Sequence, residues 1–168
     1  MTTQASTSPD PGLRLTAILP RQRILVDSDG ARVPDKAAAL AVLADLLAPA
    51  VGVDRATVER VLVERERLQS TGIGDGIAIP HASVETAPGQ VAALLVCPRG
   101  LPFEAVDGNA VRVVFGVVGP RQAAGDHLRI LARISRLLRD AAIRERLISA
   151  PSADQAYALI EDQDNHSR

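Results

Sequence analysis

Residues 70–81 read Ser70-Thr71-Gly72-Ile73-Gly74-Asp75-Gly76-Ile77-Ala78-Ile79-Pro80-His81, and the pattern of the chain changes here. Three glycines at alternate positions form a loop that interrupts the helical spacing before it. The run Ile77-Ala78-Ile79 is short, apolar and largely β-branched, as a buried strand requires. Pro80 then fixes the backbone, so His81 stands where a strand ends and a loop delivers a side chain to the edge of a sheet.

Upstream of this stretch, Asp54 is a good N-cap for a helix in which Val58, Val61, Leu62 and Leu68 mark one apolar side. Glu59, Arg60, Glu64, Arg65, Glu66 and Arg67 populate the rest. Before it, Pro34 suits the first turn of a helix over 36–48, whose Leu40, Leu43, Leu46 and Leu47 recur at helical spacing. Residues 23–26 predict a short strand, followed by an Asp27-Ser28-Asp29-Gly30 turn.

Downstream, residues 91–96 and 111–118 are continuous apolar runs of strand length, with Asp107-Gly108 as a turn between them. Beyond Pro120 an amphipathic helix is predicted, with Leu128, Leu131, Ile134, Leu137 and Leu138 on one side and Arg129, Arg133, Arg136 and Arg139 on the other. Residues 140–148 predict a short helix, and Ser152 with Gln155 opens a last one through residue 160. Residues 1–12 read as a flexible leader and 163–168 as a polar tail, leaving one domain over 13–162. The order of elements predicts a sheet covered by helices, an α/β sandwich with some antiparallel pairing.

Composition narrows the function. Hydrophobic residues make up 46% of the 168, ample for one core, but aromatics are only 2%, so base stacking has almost nothing to work with. The net charge of −1 argues against a polyanion binder, and no nucleic-acid partner is expected. Eighteen of the nineteen basic residues are Arg, which fits either a compositional bias or a preference for bidentate anion contacts. A single Cys97 in an apolar run excludes an internal disulfide and reads as a small core residue. No window reaches the roughly 18 apolar residues of a membrane span, and the amino terminus lacks the pattern of a signal peptide. A cytoplasmic protein without a membrane span is expected.

His81 is the candidate nucleophile. Near a reference pKa of about 6.5, roughly three quarters of an exposed imidazole is neutral at pH 7 and able to attack phosphorus through a ring nitrogen. Such a phosphohistidine needs donors around the phosphoryl oxygens. Thr71, the backbone N–H groups of residues 72–76 and Arg65 are candidates by proximity in sequence. The glycine loop follows a helix and enters a strand, the reverse of a dinucleotide fingerprint, and lacks the Gly-Lys-Ser/Thr of a P-loop. It serves equally as a tight turn or as a nest of amides for an anion. His127, at the start of the Arg-rich helix, is either structural or a partner of His81; spacing leaves both open. His166 is not a site candidate. No pairing of His or Cys has metal-ligand spacing, so no metal and no cofactor are expected, and no Gly-x-Ser-x-Gly elbow is present.

Residues 65–81 closely resemble the signature of fructose/mannitol-type enzyme IIA domains of the phosphoenolpyruvate-dependent phosphotransferase system. Phe103-Glu104-Ala105-Val106-Asp107-Gly108 before residues 111–118, and His127-Leu128 through Leu131 and Ala132, agree in order and spacing. The resemblance implies a mixed β-sheet flanked by helices on both faces. It implies that His81 is phosphorylated, that Arg65 helps hold the phosphoryl group and that His127 is the second histidine of the site. It further implies a histidine phosphocarrier protein as donor. Residues 70–81, in a chain without fused IIB or IIC domains, look most like the nitrogen-regulatory branch, whose partners are regulatory target proteins. A sugar-transport IIA that passes phosphate to a IIB cysteine, and a binding module without phosphate turnover, remain the alternatives.

Overall fold

The computed structural model describes residues 14–166, so the expected leader lies outside the described residues. In chain order the elements are α1 (Leu15–Ile18), β1 (Ile24–Val26), α2 (Lys36–Val51), α3 (Arg55–Leu68), β2 (Gly72–Gly74), β3 (Ile77–Ala78), β4 (His81–Ser83), β5 (Val91–Leu101), β6 (Val111–Gly119), α4 (Ala124–Arg139), α5 (Ala141–Ile148) and α6 (Ala153–His166).

The two long apolar runs, β5 and β6, pair antiparallel with Leu94 opposite Phe115. β1 adds parallel to β5, while β3 and β4 lie one after the other along the far edge of β6, both parallel to it. β2 closes that edge antiparallel to β3, giving a mixed six-stranded sheet. Because strand side chains alternate, Leu95, Cys97, Val114 and Val118 meet α2 and α3 on one face. Leu94, Val96, Val113, Phe115 and Val117 meet the core of α4, α5 and α6 on the other. Both faces are covered, which is why β5 and β6 are apolar throughout rather than alternating. Each fully buried Leu, Ile or Phe contributes roughly 1.5–3 kcal/mol of transfer free energy. Cys97 belongs to this core, and its thiol is pushed up to about 12, first by burial and then by the charge of Asp27.

Several elements differ from their expected bounds for identifiable reasons. Asp35, not Pro34, starts α2: its carboxylate accepts the Ala38 N–H at 2.8 Å, and Pro34 precedes the cap. The same helix runs past Pro49 to Val51, since a proline in the last turn removes only one intrahelical bond. β5 extends to Leu101 through Pro98, which coincides with the shift in β5–β6 register between Val96 and Leu101. On α4 the buried residues are Ile130, Ile134 and Leu138, and Leu128 is 67% exposed. At 3.6 residues per turn, Leu128 falls well outside the stripe that Ile134 and Leu138 define, whereas His127 falls within it.

The expected polar tail is, up to His166, the last turn of α6. Asp164 within it is buried and accepts hydrogen bonds from Leu15 N (3.0 Å), Thr16 N (3.0 Å) and Thr16 Oγ1 (2.8 Å). Arg133 on α4 pairs with the same carboxylate at 3.1 Å. This charge-assisted cluster ties α1, α4 and α6 together.

Candidate functional site

His81 is the first residue of β4 and is half-buried. Its backbone register is set by β6: His81 pairs with Val117, and Val117 N–H donates to Pro80 O at 2.9 Å. The ring is set separately. His81 Nδ1 lies 2.7 Å from Ile79 O, and a carbonyl can only accept, so Nδ1 carries the proton. Nε2 is therefore left with its lone pair.

Behind this contact stands a chain of hydrogen bonds that begins on α2. Ile79 N–H donates to Thr71 O at 3.0 Å. Thr71 in turn donates twice to the buried Glu66 carboxylate, through Oγ1 at 2.6 Å and through its N–H at 3.0 Å. Lys36, the chain's single lysine, pairs with Glu66 at 2.8 Å and lies over the Phe103 ring at 5.1 Å. Thr71, expected to touch the reacting group, thus has its hydroxyl committed to Glu66, and its carbonyl supports the residue that holds His81. Glu66 and Lys36 were not singled out in the sequence because a carboxylate on a charged helix and a lysine in a first turn look like solvated surface.

The glycine loop is a hairpin turn between β2 and β3. Gly74, Asp75 and Gly76 all have positive φ (100°, 56° and 77°), a run that glycine makes possible. Gly72 N–H donates to Ser70 Oγ and Asp75 N–H to Asp107 Oδ2, both at 3.1 Å. Two of the five amides expected to cradle an anion are therefore engaged within the protein.

His127 reaches the same place from the opposite end of the fold. It is the fourth residue of α4, half-buried, with its ring centroid 5.7 Å from that of His81 and tilted by 52°. Its Nδ1 lies 2.8 Å from Gln90 Oε1. Gly119 makes room for that carboxamide: a Cβ there would stand 2.2 Å from both amide heteroatoms. Gln90 escaped sequence reading, since a glutamine after a glycine carries no motif.

The surroundings disfavour the charged form of both rings. Burial lowers the His81 pKa; the hydrogen bond to Ile79 O opposes it, the Arg65 charge lowers it further and Glu66 raises it. His127 is lowered by burial and then by the charge of His81. Arg65 sits half-buried in the last turn of α3, anchored through Nη1 to Gln69 O at 3.1 Å, with its charge felt at His81. The arrangement can present a neutral nucleophilic nitrogen beside a second imidazole and a guanidinium. Among the described residues, no three His, Cys, Asp or Glu side chains are grouped to hold a metal ion. Among the described residues, no helix is long and apolar enough to cross a membrane.

Residues 18–163 match the family described as phosphoenolpyruvate-dependent sugar phosphotransferase system, EIIA 2. The chain belongs to that family. As an EIIA protein it is a phosphotransfer component with a phosphocarrier role. It is 36% identical over 154 residues to the nitrogen regulatory protein of Pseudomonas aeruginosa, covering 91% of this chain and 98% of the relative. The crystal structure of nitrogen regulatory protein IIA-Ntr from Neisseria meningitidis aligns with a TM-score of 0.80 at 30% identity, over 87% of this chain and 98% of that one. The mannitol IIA enzyme of Escherichia coli, solved in complex with phosphorylated IIB, shares the fold with a TM-score of 0.69 at 22% identity, over 84% of this chain and 95% of that one. The mixed sheet with helices on both faces is thus the EIIA architecture.

Proposed function

We propose that this EIIA protein accepts a phosphoryl group on Nε2 of His81 from a histidine phosphocarrier protein and uses it chiefly as a regulatory signal in the cytoplasm. The observation that carries the reading is the Nδ1 contact to Ile79 O at 2.7 Å, which leaves Nε2 as the nucleophilic nitrogen of a ring that cannot turn freely. In the transfer, the donor's N–P bond breaks as one forms at His81 Nε2, and the donor ring keeps the bonding electron pair. Negative charge on the three phosphoryl oxygens calls for cations and donors already in position. Arg65 supplies the cation and His127 the neighbouring imidazole, while Thr71 acts as a positioning residue through Ile79. The depressed pKa of His81 supports the same role, because more of the ring is neutral near pH 7.

The regulatory branch is favoured by the near full-length similarity to a nitrogen regulatory protein. A transport role, with phosphate passed to a IIB cysteine, is the second reading, and it draws on the fold shared with a mannitol IIA solved with its IIB. A binding module without turnover fits less well with a neutral His81 beside His127 and Arg65.

The test is incubation with labelled phosphoenolpyruvate, enzyme I and a histidine phosphocarrier protein. Acid-labile, base-stable label is expected on the parent protein and none on His81→Ala. No label on the parent, or label unaffected by the substitution, defeats the reading. Rapid onward transfer of that label to a IIB domain would favour transport over regulation.

A further inference from the structure

A carboxamide oxygen has no hydrogen to give, so the 2.8 Å contact between Gln90 Oε1 and His127 Nδ1 requires the proton to sit on Nδ1. His127 Nε2 is then the nitrogen with a free lone pair, as in His81. Gln90 comes from the residue before β5, 37 positions away in sequence, and its amide fills the notch at Gly119. Gln90 Nε2 is buried there with no hydrogen-bond partner, an uncommon state for an amide. Turning the carboxamide over would bury an unpaired oxygen instead and set a donor against His127 Nδ1, forcing the other tautomer. In the orientation observed, the carboxamide presents an acceptor to the second histidine.

We propose that Gln90 is a positioning residue that keeps His127 protonated at Nδ1, so that His127 Nε2 takes up a proton from water when His81 becomes phosphorylated and then donates to a phosphoryl oxygen. The proposal rests on the phosphohistidine reading above. Before transfer, burial and the neighbouring His81 both disfavour a charged His127. A phosphoryl group brings roughly two negative charges to within about the ring-to-ring distance, and an anion so close favours imidazolium. Only an acceptor at Nδ1 is compatible with that cation: Nδ1–H still donates to Gln90 while Nε2–H becomes available. The other charged groups around the pair are Arg65 and Glu66 on α3, which act on His81 in opposite senses, and Asp126 with Arg129 on α4, paired to each other at 2.9 Å. Glu85 and Arg121 pair at 3.9 Å beyond the ends of β4 and β6. None of these groups changes charge on transfer, so the phosphoryl group on His81 is what shifts the balance at His127.

Histidine-ring 15N–1H correlation spectra of the full chain, unmodified and phosphorylated, across about pH 5 to 9 provide the test. The unmodified parent is expected to show His127 as the Nδ1–H tautomer, and phosphorylation to raise its pKa by about one unit or more. Gln90→Leu is expected to lose that tautomer preference and the rise, and to slow phosphoryl transfer to His81 about tenfold, the scale of a lost supporting contact. Gln90→Glu keeps an acceptor and is expected to restore both. An unchanged tautomer and an unchanged rise in Gln90→Leu overturn the proposal. Should that variant not fold, a parent whose His127 carries its proton on Nε2, or whose pKa does not move on phosphorylation, overturns it without any substitution. A parent that takes no label at His81 overturns the phosphocarrier reading and this proposal with it; a labelled parent with His127 unchanged overturns this proposal alone.

Discussion

The two histidines of the site lie 5.7 Å apart, yet they are held in opposite ways. His81 is held by main chain: its ring donates to Ile79 O, Ile79 N–H to Thr71 O, and Thr71 to a carboxylate anchored by Lys36. His127 is held by one side chain, Gln90, which depends on the absence of a Cβ at Gly119. A ring supported by successive backbone carbonyls cannot reorient without disturbing β3 and β4. A ring supported by a single carboxamide is released by one substitution. Rigidity on the side of His81 and dependence on one contact on the side of His127 support the proposed pair, in which one ring forms the bond and its neighbour adjusts its protonation.

The largest way to break this contrast is Glu66→Ala, which strands Lys36 and leaves two donors of Thr71 without their acceptor. A loss of about 4 kcal/mol is expected from removing one partner of a buried ion pair, measured by urea unfolding. In the folded fraction, the His81 ring is expected to lose its fixed Nδ1–H tautomer in 15N spectra while His127 keeps its own. Gly119→Ala attacks the other side: the new Cβ displaces Gln90 at a cost of about 2 kcal/mol, within the range for overpacking. There the expected outcome is reversed, with His127 losing its tautomer preference and His81 keeping it. If either substitution disturbs both rings equally, the separation of the two supports is wrong.

Thr71→Val sharpens the comparison more gently. It removes the 2.6 Å hydroxyl donor to Glu66 but keeps the backbone N–H and carbonyl, so about 1.5 kcal/mol is expected, with label at His81 retained. A complete loss of label in a folded Thr71→Val protein would instead argue for direct contact between the hydroxyl and the phosphoryl group. The smallest effect is in pH. Both histidines have folded-state pKa values below the ordinary one, so the unfolded chain takes up protons first as pH falls. Their contribution to stability is fully present above about pH 6.5 and is lost as pH drops toward the folded values. Unfolding midpoints at about pH 7.5 and pH 5 should differ less in His81→Asn and in His127→Asn than in the parent. A midpoint gap unchanged in both variants would assign the pH dependence to other groups.

The difference between the two supports also explains what could be seen without coordinates. The His81 side is local, with Arg65, Thr71, the glycine turn, Ile79 and His81 falling within seventeen consecutive residues, and local spacing is what a sequence displays. Even there Glu66 was hidden, since burial of a carboxylate depends on a lysine from another helix. β4 was hidden too: three residues beginning with His carry no alternation, and β6 alone makes them a strand. The exposure of Leu128 and the burial of Asp164 went against their residue types for the same reason, because the packing of α4 against the sheet and of α1 against α6 decides which side faces in.

Apolar periodicity, capping residues and the Pro-His junction were enough to predict an α/β sandwich and to single out His81 as the candidate nucleophile, because these depend on neighbours within a few positions along the chain. The tautomers of both rings and the part taken by Gln90 emerged from the folded molecule alone, as did the 5.7 Å approach of His127 to His81 that spacing had left open. Each depends on which acceptor stands within about 3 Å of a given nitrogen, and that is set by strands and helices whose residues lie tens of positions apart.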